Sequence, residues 1–164
     1  MKKYIKSDRA FDIPDEIAFS HLEQDRMDAA EATDSADLLE VYAYDPDPWV
    51  RCKAAENCNI SLELLEMLAK DESFNVRCGV AWNPNTPASI LTALAMDEDP
   101  DVRMNVAGNL NTPVAILEEL SMDSDISVLD EVAANPNTPY NVLKVLANNR
   151  YPGVSHTAQM NPNY

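Results

Sequence analysis

Apolar residues in this chain return every 26 positions. Leu39, Leu65, Leu91, Leu117 and Leu143 are in register, as are Leu68, Leu94, Leu120 and Leu146, with Tyr42 in the first unit. Val50, Val76, Val102, Val128 and Val154 make a third apolar column. Polar columns keep the same step: Asp45, Asp71, Asp97 and Asp123, closed by Asn149, and Asn57, Asn83, Asn109, Asn135 and Asn161. Within a unit the apolar residues are three and four apart. That spacing puts Ile90, Leu91 and Leu94 on one helical face, as it does Ile116, Leu117 and Leu120. Val102, Val106 and Ala107 line a second helix. The pattern predicts five units without an insertion, residues 34–59, 60–85, 86–111, 112–137 and 138–163.

Each unit reads as two short helices. Thr86, Thr112 and Thr138 are expected to cap the first helix through their hydroxyls, with Pro87, Pro113 and Pro139 at its first position. Asp34 and Ser61 take the capping role in the earlier units. The second helix opens at Asp47-Pro48, Asp99-Pro100 or Asp125-Ile126 and stops at the Asn turn. It is barely two turns long, so part of it is expected to be 3₁₀. No unit buries its apolar stripe alone, so neighbours must stack into an α-solenoid. Residues 1–33 lie outside the repeat. There Asp12-Ile13-Pro14-Asp15-Glu16 reads as a helix start, with Ile17, Leu22 and Met27 on its apolar side. This segment is expected to be a helical cap on a solenoid spanning 34–164. No polar cap follows Asn163-Tyr164, so either the last repeat is weakly covered or two copies stack end to end as a homodimer.

The unit Val-Arg-x-x-Val-Ala-x-Asn-Pro-Asn-Thr-Pro-x-x-x-Leu-x-x-Leu-Ala-x-Asp resembles the variant leucine-rich repeat (LRV) family. Residues 76–97 carry it nearly complete, from Val76-Arg77 through Asn83-Pro84-Asn85-Thr86-Pro87 to Leu91, Leu94, Ala95 and Asp97. The likeness runs from about residue 34 to the end of the chain. It implies a right-handed superhelix alternating an α-helix with a short 3₁₀ helix, with no β-strand and no shared catalytic activity. Some members of the family hold an iron–sulfur centre on an N-terminal cysteine cluster. Residues 1–33 contain no cysteine, so that cofactor is not carried over.

Charge and composition narrow the function. The 164 residues include 28 acids against 12 lysines and arginines, for a net charge of -16. Such a surface repels phosphate backbones and anionic lipid, so direct nucleic-acid and membrane binding are disfavoured. No GxGxxG or GxxxxGK cradles a phosphate. The basic start, Met1 to Arg9, is not followed by the apolar core of a signal peptide, and no apolar run reaches the ~20 residues that cross a bilayer. A cytoplasmic protein is expected. Cys52, Cys58 and Cys78 have neither disulfide nor metal-ligand spacing and read as small buried apolar residues. His21 and His156 are too distant in this architecture to cooperate, no nucleophile–base–acid spacing occurs, and no cofactor or enzymatic activity is expected. Trp49 and Trp82 fall at different repeat positions, which suits core or edge packing better than a stacking row.

Three ladders remain. The Asn columns suit turns, where Asn tolerates left-handed backbone, and stacked copies can bond between repeats. Arg51, Arg77 and Arg103 each follow an aspartate of the Asp45 column by six residues, which predicts Asp–Arg pairs fastening the two helices of one unit. The acids of the inter-helix loops, Asp45, Asp47, Asp71, Glu72, Asp97, Glu98, Asp99, Asp101, Asp123 and Asp125, should line one edge of a solenoid. Part of this is capping chemistry. Calcium lacks an EF-hand spacing here. The expected function is a non-enzymatic protein-interaction module whose acidic edge attracts a basic protein partner. The alternative is an acidic nucleic-acid mimic that occupies the groove of a basic nucleic-acid-binding protein.

Overall fold

In every repeat the chain leaves an extended residue and enters a first helix of seven residues, then turns through a short loop, acidic in the first four repeats, into a second helix of nine. The computed structural model describes residues 3–6, 9–12 and 23–164. Strands β1 (Lys3–Lys6) and β2 (Arg9–Asp12) pair antiparallel, with Tyr4 opposite Phe11. Helix α1 spans Glu23–Ala32. The repeats follow as α2 (Ala36–Tyr42) and α3 (Pro48–Glu56), α4 (Leu62–Leu68) and α5 (Phe74–Trp82), and α6 (Ala88–Leu94) and α7 (Pro100–Gly108). The last two are α8 (Val114–Leu120) with α9 (Ile126–Ala134), and α10 (Tyr140–Leu146) with α11 (Pro152–Met160). The chain is a helical repeat fold of paired helices, with the hairpin as the addition at residues 3–12.

Two expectations change here. A β-hairpin stands where a strand-free fold was implied. The second helices are α throughout and longer than the first, so the expected 3₁₀ element is not found among the described helices. A cap helix is present as α1, with Met27 half-buried on it. The helix start expected at Asp12–Glu16, with Ile17 and Leu22, lies largely outside the described residues.

The chain forms two compact units, Met1–Asn83 and Pro84–Tyr164. In the first, α1 packs on α3 and α3 on α5; in the second, α7 packs on α9 and α9 on α11. Second helices therefore stack directly on one another, and each first helix is tied mainly to its chain neighbours. The Val50, Val76, Val102, Val128 and Val154 column is wholly buried at the centre of these stacks. The Leu39 column packs beside it, at most 2% exposed. Close stacking explains Gly79, where a Cβ would come within 2.8 Å of the Cys52 carbonyl oxygen.

Capping departs from expectation for the threonines. Ser35, not Asp34, caps α2 by accepting from the Leu38 N–H, and Ser61 caps α4 by accepting from Leu64. Pro87, Pro113 and Pro139 stand at the N-cap itself. Thr86, Thr112 and Thr138 are buried one place earlier. The Thr112 hydroxyl donates to the Val106 carbonyl (2.5 Å) and the Thr138 hydroxyl to Val132 (2.6 Å). Both carbonyls lie in the last turn of the preceding helix, where Val106 O otherwise accepts only a 3.2 Å bond from the Asn109 N–H, so the threonine serves an acceptor behind it rather than a donor ahead of it. At the second helices the expectation holds: Asp47, Asp99 and Asp125 accept from the N–H two residues on, at 2.8–2.9 Å.

One half-buried carboxyl works against this packing. Glu131 on α9 lies beside Gly108 of α7, where a Cβ would meet Glu131 Oε2 at 3.1 Å. Burial, and then the charge of Asp130, raise its pKa. A carboxyl whose pKa is raised by folding favours the folded state while protonated, and that advantage is lost as pH rises through the ordinary carboxylate range. Glu131→Gln should therefore raise Tm by about 1–2 °C near pH 7, with the gain fading near about pH 3.5. Thermal melts at the two pH values check this.

Candidate functional site

The two expected structural ladders are the frame on which the acidic loops hang. Asn135 is 3% exposed, and its Nδ2 donates to the carbonyls of Ala107 (2.7 Å) and Asn109 (3.2 Å) in the preceding repeat. Its Oδ1 accepts from the N–H of Asn137 (2.9 Å), closing an Asx turn. Asn161 repeats this with Ala133, Asn135 and Asn163, and Asn83 donates to Ala55 and Asn57. The second asparagine of the turn adds a strut, as where Asn137 donates to Leu110 O. The inter-repeat bonding is as expected. Left-handed backbone is not: Asn57 has φ -67 and ψ 126, Asn135 φ -63 and ψ 123. Asparagine is used here for its amide, which donates and accepts at once.

The arginines pair differently from the expectation. Arg51 Nη1 donates to the carbonyls of Asp45 (2.8 Å) and Pro46 (3.1 Å) in its own repeat. Its Nε and Nη2 form a fork on the carboxylate of Asp71, 20 residues ahead in the next repeat, at 2.8 and 2.9 Å. Arg103 does the same with the carbonyls of Asp97 and Glu98 and the carboxylate of Asp123. The ladder thus fastens repeat to repeat, because the guanidinium has donors on two edges and the nearer acid offers only its backbone. The side chains of both pairs are at most 16% exposed. Each acid also accepts from the N–H two residues on, as Asp123 does from Asp125. The hydrogen bond from Arg103 holds the Asp123 carboxyl below its ordinary pKa.

The ladder also reaches a residue that sequence register hides. Arg26 on α1 bonds Asp45 through Nε at 2.9 Å and Nη2 at 3.4 Å. Asn57 donates to the carbonyls of Ala30, Glu31 and Thr33, as later asparagines do to the helix behind them. Helix α1 therefore takes the place of a second helix in a preceding repeat. Its arginine stands 25 residues before Arg51 rather than 26, and that shift conceals the match.

The ten loop acids separate into two groups. Asp45, Asp71 and Asp123 are ion-paired and largely enclosed. Asp97 lies at the same repeat position and accepts from the N–H of Asp99. Asp47, Asp99 and Asp125 cap helices and are half-exposed, while Glu72, Glu98 and Asp101 are exposed. Each unit thus carries its own set of solvated carboxylates: Asp47 and Glu72 in the first, Glu98, Asp99, Asp101 and Asp125 in the second.

The other candidate residues are scattered. Trp49 and Trp82 are 47% and 66% exposed and belong to no core. Of the cysteines only Cys52 is buried, and burial, reinforced by Glu56, pushes its thiol up to about 12; Cys58 is exposed and Cys78 half-buried. His156 is exposed, and His21 lies outside the described residues. No group of three metal-ligating side chains occurs among the described residues. No helix among them is long and apolar enough to cross a membrane.

Among solved structures, the chain is similar to one described as "a leucine-rich repeat variant with a novel repetitive protein structural motif". The TM-score is 0.65, with 26% identity over 85% of this chain. The fold is LRV-like. The chain spans 56% of the length of that LRV protein. No protein-family model matches the chain, and no curated protein does. An LRV-like array is a stack in which each repeat exposes equivalent loops, which is the construction of a protein-interaction surface.

Proposed function

We propose that this chain is a non-enzymatic, cytoplasmic protein-interaction module that takes a basic partner on its inter-helix loops. The observation that carries the reading is the division of the loop acids. Asp45, Asp71 and Asp123 are consumed by the arginine ladder, yet Glu72, Glu98 and Asp101 stand in solvent and make no ion pair among the described residues. Charge that the fold does not use, repeated on equivalent loops, steers a partner of opposite sign. The same division weakens the nucleic-acid-mimic reading. A mimic needs a regular row of free carboxylates, and the most regular column here is enclosed by arginine.

The test is affinity capture from host lysate at low salt, eluted with a salt gradient and compared with the variant Glu72→Gln/Glu98→Gln/Asp101→Asn. The Glu72 and Glu98 side chains bind no helix end, and the Asp101→Asn change in the first turn of α7 leaves the Asp99 cap in place, so the variant should keep its fold. Basic proteins are expected to be held by the natural chain, released at moderate salt and absent from the variant. An identical set of proteins on both would overturn the electrostatic reading.

A further inference from the structure

Two features of the second unit are unexplained by folding. Met96 and Met122 are 80% and 81% exposed, the most exposed large apolar side chains among the described residues. They occupy one repeat position, just after α6 and α8, where other repeats have Tyr44, Lys70 and Asn148. Folding therefore demands no apolar residue there. Between them runs an open groove lined by Ala95, Met96, Leu120 and Met122, with Asp97, Glu119 and Asp123 on its walls. Arg103 also reaches this groove, but its charge is met by Asp123. Met122 is also a wall of the next groove, toward Leu129 and Tyr151. The surrounding field is negative: residues 84–131 hold ten acids and a single base, Arg103.

Resting on the reading above that the loops take a basic partner, we propose that this groove seats one basic amphipathic helix of a partner protein, with its apolar anchors on Met96 and Met122. The repeats stack through their second helices, which lie roughly 8–10 Å apart, so equivalent positions such as the two methionines recur at a spacing on the order of that distance. An α-helix brings the same face round every seven residues, a rise of about 10.5 Å, so anchors at i and i+7 meet successive methionines. Methionine is unbranched and polarisable and adapts to varied apolar side chains. Lysines and arginines flanking the anchors would face Glu98, Asp101 and Glu119, giving charge complementarity along the same edge. An acidic occupant is repelled, and an apolar one without charge forgoes the steering.

The test uses two labelled peptides of about 18 residues, five helical turns, with equal positive charge. One is an amphipathic Lys/Leu helix; in the other every Leu is Ser. Fluorescence anisotropy measures binding to the full chain, to Met96→Ser/Met122→Ser, and to Glu98→Gln/Asp101→Asn. The Lys/Leu peptide should bind about tenfold tighter than Lys/Ser, and the methionine variant should abolish that difference while leaving Lys/Ser binding unchanged. The Lys/Leu peptide should also protect both methionines from peroxide oxidation. Equal binding of both peptides to both proteins, weakened only by the charge variant, would overturn the methionine groove and leave the acidic edge standing. Binding of neither peptide would overturn both.

Discussion

Asn135→Asp is expected to cost the second unit about 3–5 kcal/mol, more than Asn135→Ala at about 2–3 kcal/mol. The two substitutions separate the two jobs of the amide. Alanine removes both the donor to Ala107 and Asn109 and the acceptor for Asn137. Aspartate keeps the acceptor, and so the Asx turn, but points an anion at two buried carbonyls, that of Ala107, which has lost the amide donor, and that of Asn109, which keeps only the Thr112 N–H. Urea denaturation of the two variants reads the order directly. If alanine proved the worse, the turn and not the inter-repeat bond would hold the stack. The aspartate variant should also be acid-rescued. Its new carboxyl is better tolerated protonated, so the folded-state pKa is raised, and the penalty grows as pH rises through the ordinary carboxylate range. Asn137→Ala, which loses an exposed bond to Leu110, is a control expected to cost about 1 kcal/mol or less.

The repeat frame was legible because every buried column keeps the 26-residue step: the valines, the leucines and the inter-repeat asparagines all lie where periodicity places them. Legibility failed where one residue type has two equally good partners. An arginine six residues after one aspartate and 20 before another satisfies both, and only the packed geometry shows the near one engaged by its carbonyl and the far one by its carboxylate. Threonine before proline is likewise an acceptor for the helix ahead or a donor to the helix behind, and burial of the hydroxyl decides for the latter. Helix α1 was legible as a cap but not as a rung of the ladder, because one residue is out of step, which breaks a column comparison without preventing Arg26 from reaching Asp45. The candidate edge was half legible. Its acids were visible as a run, but which of them the fold consumes depends on the arginine geometry. Met96 and Met122 share a column with Lys70 and Asn148, which marks the position as outside the core, but nothing in the sequence shows the groove between them.

The chain itself contains the control for its arginine ladder. Where the next arginine is due, α9 has Leu129, 5% exposed, and where its aspartate partner is due stands Asn149, which still accepts from the N–H of Tyr151 at 3.0 Å. Both charges are absent together. Arg103→Leu alone should cost about 2–4 kcal/mol, because it leaves the enclosed Asp123 carboxylate without its cation and two loop carbonyls without a donor. Asp123→Asn alone should cost about 1–2 kcal/mol, since the amide oxygen still closes the turn while Arg103 loses its anion. The double variant copies the Leu129/Asn149 rung and should lie well below the sum, with a coupling of about 1–3 kcal/mol in a double-mutant cycle. Costs that add within about 0.5 kcal/mol would show that the two residues stabilise the fold independently. The coupling should also depend on pH. Arg103 holds the Asp123 carboxyl below its ordinary pKa. A depressed carboxylate contributes stability that is complete above the unfolded value and is lost as pH falls through the folded one. The coupling should therefore be constant from neutral pH down to about pH 4 and decline below it. By that point the natural chain and the double variant should differ least.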